Sequence, residues 1–147
     1  PLVLLAMGPM LGFSLPNWFA PEDEAAQDIY SYYRQNWFPH VGEEHRAVRE
    51  RVALFDQSSF AKFRIIGTDA EKALNRICAN NVAKPSGALT YTQMLNSKGG
   101  IECDLTVARL ADDEFYLVSG TGFRTHDSAW IQSQFFPEEK VTQAKLL

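Results

Sequence analysis

The feature that most constrains the fold is a turn signal between two stretches in which apolar and polar side chains alternate. Residues 96–100 (Asn-Ser-Lys-Gly-Gly) separate the alternating residues 89–95 from the alternating residues 101–110. A period of two is typical of a strand with two different faces, and glycine adopts the positive φ that tight turns need. The pattern therefore predicts a β-hairpin of two antiparallel strands.

Other elements place this hairpin in an α+β domain. Residues 61–66 predict a strand before the hairpin, and residues 115–119 predict a third strand of a meander after it. Apolar side chains three or four positions apart predict helices that begin near residues 21, 43, 70 and 121. This order of elements predicts the α+β class, with a mostly antiparallel sheet and flanking helices.

Local signals set the expected ends of the helices. Pro21 followed by three acidic residues predicts a helix start, and Pro39 predicts that the same helix has ended. Thr68 and Glu71 have the spacing of a capping box, in which a hydroxyl and a carboxylate bond the first backbone N–H groups. Residues 1–20 are apolar and interrupted by Gly and Pro, which predicts a connector.

Composition and charge exclude several classes of protein. A hydrophobic fraction of 46% with 22% charged residues is typical of a folded core, and 147 residues suffice for one domain. The net charge is −4 and no run of Lys and Arg occurs, so nucleic acid is not expected as a partner. Residues 1–13 are apolar but too few to span a bilayer, and they lack the basic start of a signal peptide, so no membrane partner is expected.

The cysteines and histidines form no recognisable metal motif. Cys78 and Cys103 belong to no C-x-x-C pair, and we expect two reduced thiols in a cytoplasmic protein. His40, His45 and His126 have no metal-ligand spacing, so no metal site is expected. The glycine-rich fingerprints of dinucleotide-binding and phosphate-binding loops are also absent from the sequence.

Asp104 is the most unusual residue of the predicted hairpin, because aspartate is disfavoured within strands. Alternation places Glu102, Asp104 and Thr106 on one face. From the pattern alone, a solvated outer face is the favoured interpretation, and a carboxylate held at the mouth of a cleft is the alternative. Tyr91 lies on the facing strand, either as a packing aromatic or close to Asp104, depending on the register.

Taken together, several stretches resemble the family of the glycine-cleavage T-protein. Residues 52–60 (Val-Ala-Leu-Phe-Asp-Gln-Ser-Ser-Phe) resemble its opening motif. Residues 91–96 and 99–107 resemble its folate-site hairpin, and residues 126–130, which begin with His-Asp, resemble the helix that follows. The resemblance implies the N-terminal part of the T-protein folate-binding fold.

The upstream residues resemble one branch of this family. Residues 16–20 (Pro-Asn-Trp-Phe-Ala) and 34–38 (Arg-Gln-Asn-Trp-Phe) are similar to the junction between the flavin half and the folate half of dimethylglycine and sarcosine dehydrogenases. The chain also starts with proline instead of methionine, so we expect a fragment. The expected division is a junction segment at 1–40, a partial folate-binding domain at 41–136 and a tail at 137–147.

The resemblance also implies roles for particular residues. The essential aspartate of the family falls on Asp104, and a folate-contacting tyrosine falls on Tyr91. The family often has two adjacent acids in this hairpin, and here Cys103 replaces the first of them. The residues that grip the pterin in the family lie beyond Leu147. The implied cofactors are tetrahydrofolate in this domain and FAD in a missing N-terminal half.

The resemblance therefore implies a domain that accepts a one-carbon unit from an oxidised N-methyl amine of the dimethylglycine or sarcosine type and forms methylenetetrahydrofolate. The implied partners are folate, a small N-methyl amine and the remainder of the same polypeptide, and a homo-oligomer is a further expectation. Two alternatives stay open. One is a stand-alone aminomethyltransferase of the glycine-cleavage type, and the other is a non-catalytic regulatory module with the same fold.

Overall fold

The computed structural model describes the backbone of residues 4–10 and 13–146, and the side chains of residues 17–144. These residues form two compact units that divide between Gln57 and Ser58. The first unit contains a β-hairpin and a helix, and the second contains a five-stranded sheet with two helices. None of the helices in this described part has the length and hydropathy of a membrane span.

In the first unit, strands β1 (Leu4–Met10) and β2 (Phe13–Ala20) form an antiparallel hairpin, and helix α1 (Phe38–Glu50) follows after a loop. Trp18 lies at the centre of a small core, with 2% of its surface exposed. Its indole Nε1 donates a hydrogen bond to Asp28 Oδ1 at 2.8 Å, which satisfies the polar group of a buried aromatic ring. This bond ties the loop to the hairpin.

The prediction that a helix starts at Pro21 is wrong. Residues 21–36 form turns and irregular loop. The side chain of Asn36 takes over backbone groups that a helix would pair: it accepts a hydrogen bond from Ile29 N at 2.9 Å and donates one to Gln27 O at 3.0 Å. These side-chain bonds compete with helix formation, as asparagine commonly does in loops.

Two further expectations for this unit differ from the structure. The described part of residues 1–20 forms paired strands, although its glycines and prolines predicted a connector. Pro39 lies in the first turn of α1 and does not end a helix. The first turn is where a missing N–H leaves no helical bond unmade, so proline is tolerated there.

The second unit is built on a sheet in the order β4-β5-β6-β3-β7, in which all neighbours are antiparallel. Two helices complete it, and a single 3-10 turn, Thr121–Phe123, precedes the second of them. The elements are β3 (Ala61–Ile66), α2 (Ala70–Ile77), β4 (Leu89–Leu95), β5 (Ile101–Arg109), β6 (Glu114–Ser119), α3 (Arg124–Ser133) and β7 (Thr142–Leu146). The predicted α+β class is confirmed.

One face of the sheet forms the core with both helices. Alternate strand residues are buried on this face, and α2 and α3 contribute the apolar side chains that cover them. The side chains that form this core include Phe63, Ile65, Leu74, Ile77, Met94, Leu105, Val107, Phe115, Leu117 and Ile131. The outer face carries polar groups, among them Arg64 of β3, which forms an ion pair with Glu114. The alternation that predicted the strands therefore reflects a sheet with one buried side.

Details at the ends of these elements differ from expectation. The capping box predicted from Thr68 is wrong: Asp69 is the N-cap residue of α2, without a side-chain cap bond. Glu71, its other predicted member, forms an ion pair with Arg109 of β5. Residues 142–146 pair with β3 as a short edge strand. The domain boundaries expected at residues 40 and 136 remain predictions.

Replacing Phe63 by Ala tests this assignment of the core. Phe63 is fully buried in the central region of the sheet, so Phe63→Ala should lower the free energy of unfolding by about 3–5 kcal/mol. Urea denaturation followed by circular dichroism measures the change. Phe123→Ala, which removes a ring that is 60% exposed, is the matched control. An equal effect of both substitutions would contradict the assignment.

Candidate functional site

The turn between β4 and β5 is fixed by Asn96. Its Oδ1 accepts hydrogen bonds from the backbone N–H groups of Lys98 and Gly100, each at 2.9 Å. Gly99 has a φ of 80°, which favours glycine. At Gly100, an added Cβ would lie 2.8 Å from Asn96 Nδ2, so a side chain there would disturb the Asn96 contacts. The sequence of the turn therefore determines where β5 begins.

The pairing of β4 with β5 places the candidate residues on one face. Gln93 is directly opposite Asp104, and Tyr91 is opposite Thr106. Tyr91 is therefore the diagonal neighbour of Asp104, within reach for a long aromatic side chain. The register shifts by one residue after Met94, through an irregularity that the sequence pattern did not indicate.

Asp104 is held by two side chains of β4. Gln93 Nε2 donates a hydrogen bond to Asp104 Oδ1 at 3.3 Å. The Tyr91 hydroxyl lies beside the Asp104 carboxylate, and hydrogen bonding to that carboxylate raises the pKa of Tyr91 because a phenolate there would lie beside a negative charge. Asp104 is exposed and Tyr91 is 60% exposed. The pair presents a carboxylate and an aromatic ring on the open face of the sheet.

The sequence left open whether Tyr91 lies close to Asp104 and whether Asp104 lies on an exposed face, and the structure decides both points. The structure brings Asp104 and Tyr91 together, and in this chain they lie on an exposed outer face. A carboxylate that is oriented by a phenol and an amide can accept a proton or bind a cationic or N–H-bearing ligand. The cofactor-binding and catalytic roles of Asp104 and Tyr91 remain predictions.

A second polar cluster lies beside the hairpin, at the start of α3. Asp127 is only 1% exposed, and its Oδ1 is 3.0 Å from His126 Nδ1. His126 Nε2 is 3.4 Å from Glu102 Oε2, and Glu102 Oε1 accepts a hydrogen bond from Asn96 Nδ2 at 2.9 Å. The hydrogen bond with Asp127, together with the charge of Glu102, raises the pKa of His126. The cluster thus favours an imidazolium between two carboxylates.

Cys103 completes this cluster from the buried face of β5. Burial raises the pKa of its thiol, and the hydrogen bond and charge of Asp127 raise it further. The thiol therefore stays protonated and is not a nucleophile.

Cys103, His126 and Asp127 are all of metal-ligand type, and their polar atoms lie within 4.8 Å of one another. His126 Nδ1 and Asp127 Oδ1 are already 3.0 Å apart, a hydrogen-bond distance, so in this structure the two side chains bond each other. The expectation of no metal site remains a prediction.

Sequence reasoning missed this network. Asp127 and Ile131 are four positions apart and both are buried, so an acid on the apolar face of α3 was the available signal. Which carboxylate and thiol would meet it could not be inferred, because Glu102 and Cys103 come from another element. Gln93 was also missed, because its role depends on the strand register.

Comparison with known proteins identifies the family of this chain. Residues 5–146 match the family model of the GCVT N-terminal domain. The chain is 37% identical to the mitochondrial dimethylglycine dehydrogenase of Rattus norvegicus, in an alignment that covers 86% of this chain and 15% of that protein. It is 31% identical to the mitochondrial sarcosine dehydrogenase of Homo sapiens, covering 92% of this chain and 19% of that protein. The chain thus spans less than a fifth of the length of these relatives.

A solved structure shows the same fold. The glycine cleavage system aminomethyltransferase T from Bartonella henselae matches with a TM-score of 0.76 and 24% identity, covering 97% of this chain and 34% of that one. The resemblance to the T-protein and to the two dehydrogenases, inferred from the hairpin and the upstream segments, is confirmed. Because the family model matches nearly the whole chain, the protein belongs to the GCVT family through its N-terminal domain, residues 5–146.

Proposed function

We propose that this chain is part of a tetrahydrofolate-binding domain that accepts a one-carbon unit from an oxidised N-methyl amine and forms methylenetetrahydrofolate. The observation that carries the proposal is the Asp104 carboxylate, which Gln93 and Tyr91 hold on an open face of the sheet. The dehydrogenase relatives, whose names specify dimethylglycine and sarcosine, support an amine of this type as the donor.

The residues of the hairpin fit part of a reduced pterin. The Asp104 carboxylate can accept a hydrogen bond from an amine N–H, and the exposed Tyr91 ring offers a flat apolar surface for stacking. Tetrahydrofolate would supply two amine nitrogens to which the transferred carbon becomes bonded. The rest of the polypeptide would supply further contacts to the pterin and, with FAD, the oxidation that generates the iminium.

Asp104 has a defined role in this transfer. When an amine nitrogen bonds to the iminium carbon, that nitrogen becomes positively charged and releases a proton. Asp104 takes this proton and returns it to the departing amine, and its negative charge stabilises the positive charge that develops meanwhile. The overall change converts an iminium and tetrahydrofolate into methylenetetrahydrofolate and a protonated amine, so atoms and charge balance without an oxidant at this site.

The alternatives predict different results for the intact protein. A stand-alone aminomethyltransferase would transfer the carbon without oxidising an amine. A regulatory module would not form methylenetetrahydrofolate at all. Simultaneous measurement of amine oxidation and methylenetetrahydrofolate formation in the intact protein distinguishes the three functions.

Asp104→Asn is the direct test of the proposed role. In the intact protein, it should lower the rate of methylenetetrahydrofolate formation by about 10²–10⁴-fold, because the proton acceptor is lost. Amine oxidation, which occurs elsewhere, should change little. Asp113→Asn, at an exposed acid between β5 and β6, is the control and should affect neither rate. Unchanged transfer in Asp104→Asn would refute the proposal.

Tyr91→Phe tests the hydrogen bond to Asp104 separately from the aromatic ring. The lost hydrogen bond contributes about 0.5–1.5 kcal/mol, so Tyr91→Phe should lower kcat/KM for tetrahydrofolate by about two- to tenfold. Tyr91→Ala, which also removes the ring, should raise the dissociation constant for tetrahydrofolate further. Tyr33→Phe, at a tyrosine that is 95% exposed, is the control. Identical values for all three variants would exclude Tyr91 from the site.

A further inference from the structure

The part of β5 that carries Asp104 lacks a strand neighbour on one side. Pairing between β5 and β6 begins at Leu105, which is opposite Ser119. Among the described residues, the preceding part of β5, from Ile101 to Asp104, pairs with β4 alone. A strand end that is paired on one side has fewer bonds to fix its position, so contacts beyond the pairing with β4 can add to the rigidity of this segment.

The first turn of α3 supplies those contacts. The Cys103 thiol and the Asp127 carboxylate lie within 4.8 Å of each other, and His126 Nε2 lies 3.4 Å from Glu102 Oε2. Glu102 and Cys103 are the two residues that immediately precede Asp104. The helix therefore contacts Cys103 on the buried side of β5 and the side chain of Glu102, while Asp104 stays exposed.

The charge of His126 matters for this contact. Asp127 is buried, and an ionised carboxylate without a partner is unfavourable there. Among the described residues, the carboxylates that contact the imidazole are those of Glu102 from β5 and Asp127 from its own helix, and the nearby Cys103 thiol is neutral. A cationic His126 attracts both carboxylates, whereas a neutral imidazole can donate to only one of them.

We propose that His126 is a positioning residue for Asp104: its cationic form joins Glu102 to Asp127 and holds the unpaired end of β5 in the position that presents Asp104. The inference rests on the proposed function for its catalytic consequence. Its structural consequence, the rigidity of residues 101–104, is independent of that function.

The effect of pH has a definite sign. The neighbouring carboxylates raise the pKa of His126, so its cation persists above its ordinary pKa of about 6.5. The contact is complete at pH values below the unfolded-state pKa and is lost as the pH rises through the folded-state pKa. Transfer to folate should fall over the same pH range.

Two substitutions separate the charge of His126 from its shape. His126→Gln is neutral at all pH values, so it should lower kcat/KM for transfer about tenfold at pH 6 and remove the His126-dependent fall at higher pH. Lysine has an ordinary pKa of about 10.4 and stays cationic over this pH range. His126→Lys should therefore keep most of the transfer activity, and its kcat/KM should not fall as the pH rises. His45→Gln, at an exposed histidine of α1, should behave like the original protein.

Hydrogen exchange of the intact protein tests the structural part directly. Amides of residues 101–104 should exchange about tenfold faster in His126→Gln than in the original protein, and at the original rate in His126→Lys. Equal exchange in all variants would overturn the positioning role, whatever the activities are.

The outcomes also distinguish the two proposals. If Asp104→Asn abolishes transfer while His126→Gln matches the original protein in pH profile and exchange, the positioning role is wrong and the proposed function stands. If His126→Gln accelerates exchange while Asp104→Asn transfers normally, the contact exists but the proposed function is wrong.

Discussion

The register between β4 and β5 is the constraint on which the rest of the site depends. Asn96 bonds the backbone of the turn, and these bonds set the residue at which β5 starts. A slip of one residue would turn Asp104 toward the core and bring Cys103 and Leu105 to the surface. Burial of those two side chains and the geometry of the turn therefore act together, and the same interactions that stabilise the sheet orient the carboxylate.

The inner face of the sheet stabilises the fold, and the outer face carries the polar side chains of the candidate site. Helices α2 and α3 cover the inner face, where Phe63, Phe115 and their neighbours exclude water. The outer face keeps polar side chains, and ion pairs such as Arg64 with Glu114 contribute modestly at partial exposure. A carboxylate on this outer face avoids the desolvation that burial would impose, and it stays accessible to a ligand.

Secondary structure could be predicted from the sequence where the pattern of apolar residues matches the burial of one face in the fold. The strands at Ala61–Ile66 and Leu89–Leu95 could be predicted from alternation, because one face of each is buried. The signals at Pro21 and Thr68 failed because distant groups overrode them: Asn36 bonds the first loop, and Arg109 pairs with the glutamate of the expected capping box. The contact of Asp127 with Cys103 joins a helix to a strand, so residue spacing could not reveal it.

Beyond Ser119, β6 no longer pairs with β5, so the segment that carries Asp104 has β4 as its strand neighbour and the first turn of α3 as a further contact. If the pairing of Leu105 with Ser119 continued by one step, Gly120 would lie opposite Asp104. Glycine has no side chain to occupy the space beside the carboxylate, and a Cβ there would approach Phe123 to 3.1 Å. Ending β6 at Ser119 thus keeps the outer face clear next to Asp104, and in the proposal above the side chains of His126 and Asp127 support β5 where β6 no longer pairs with it. Accessibility of the carboxylate and dependence on His126 are therefore two consequences of the same structural feature.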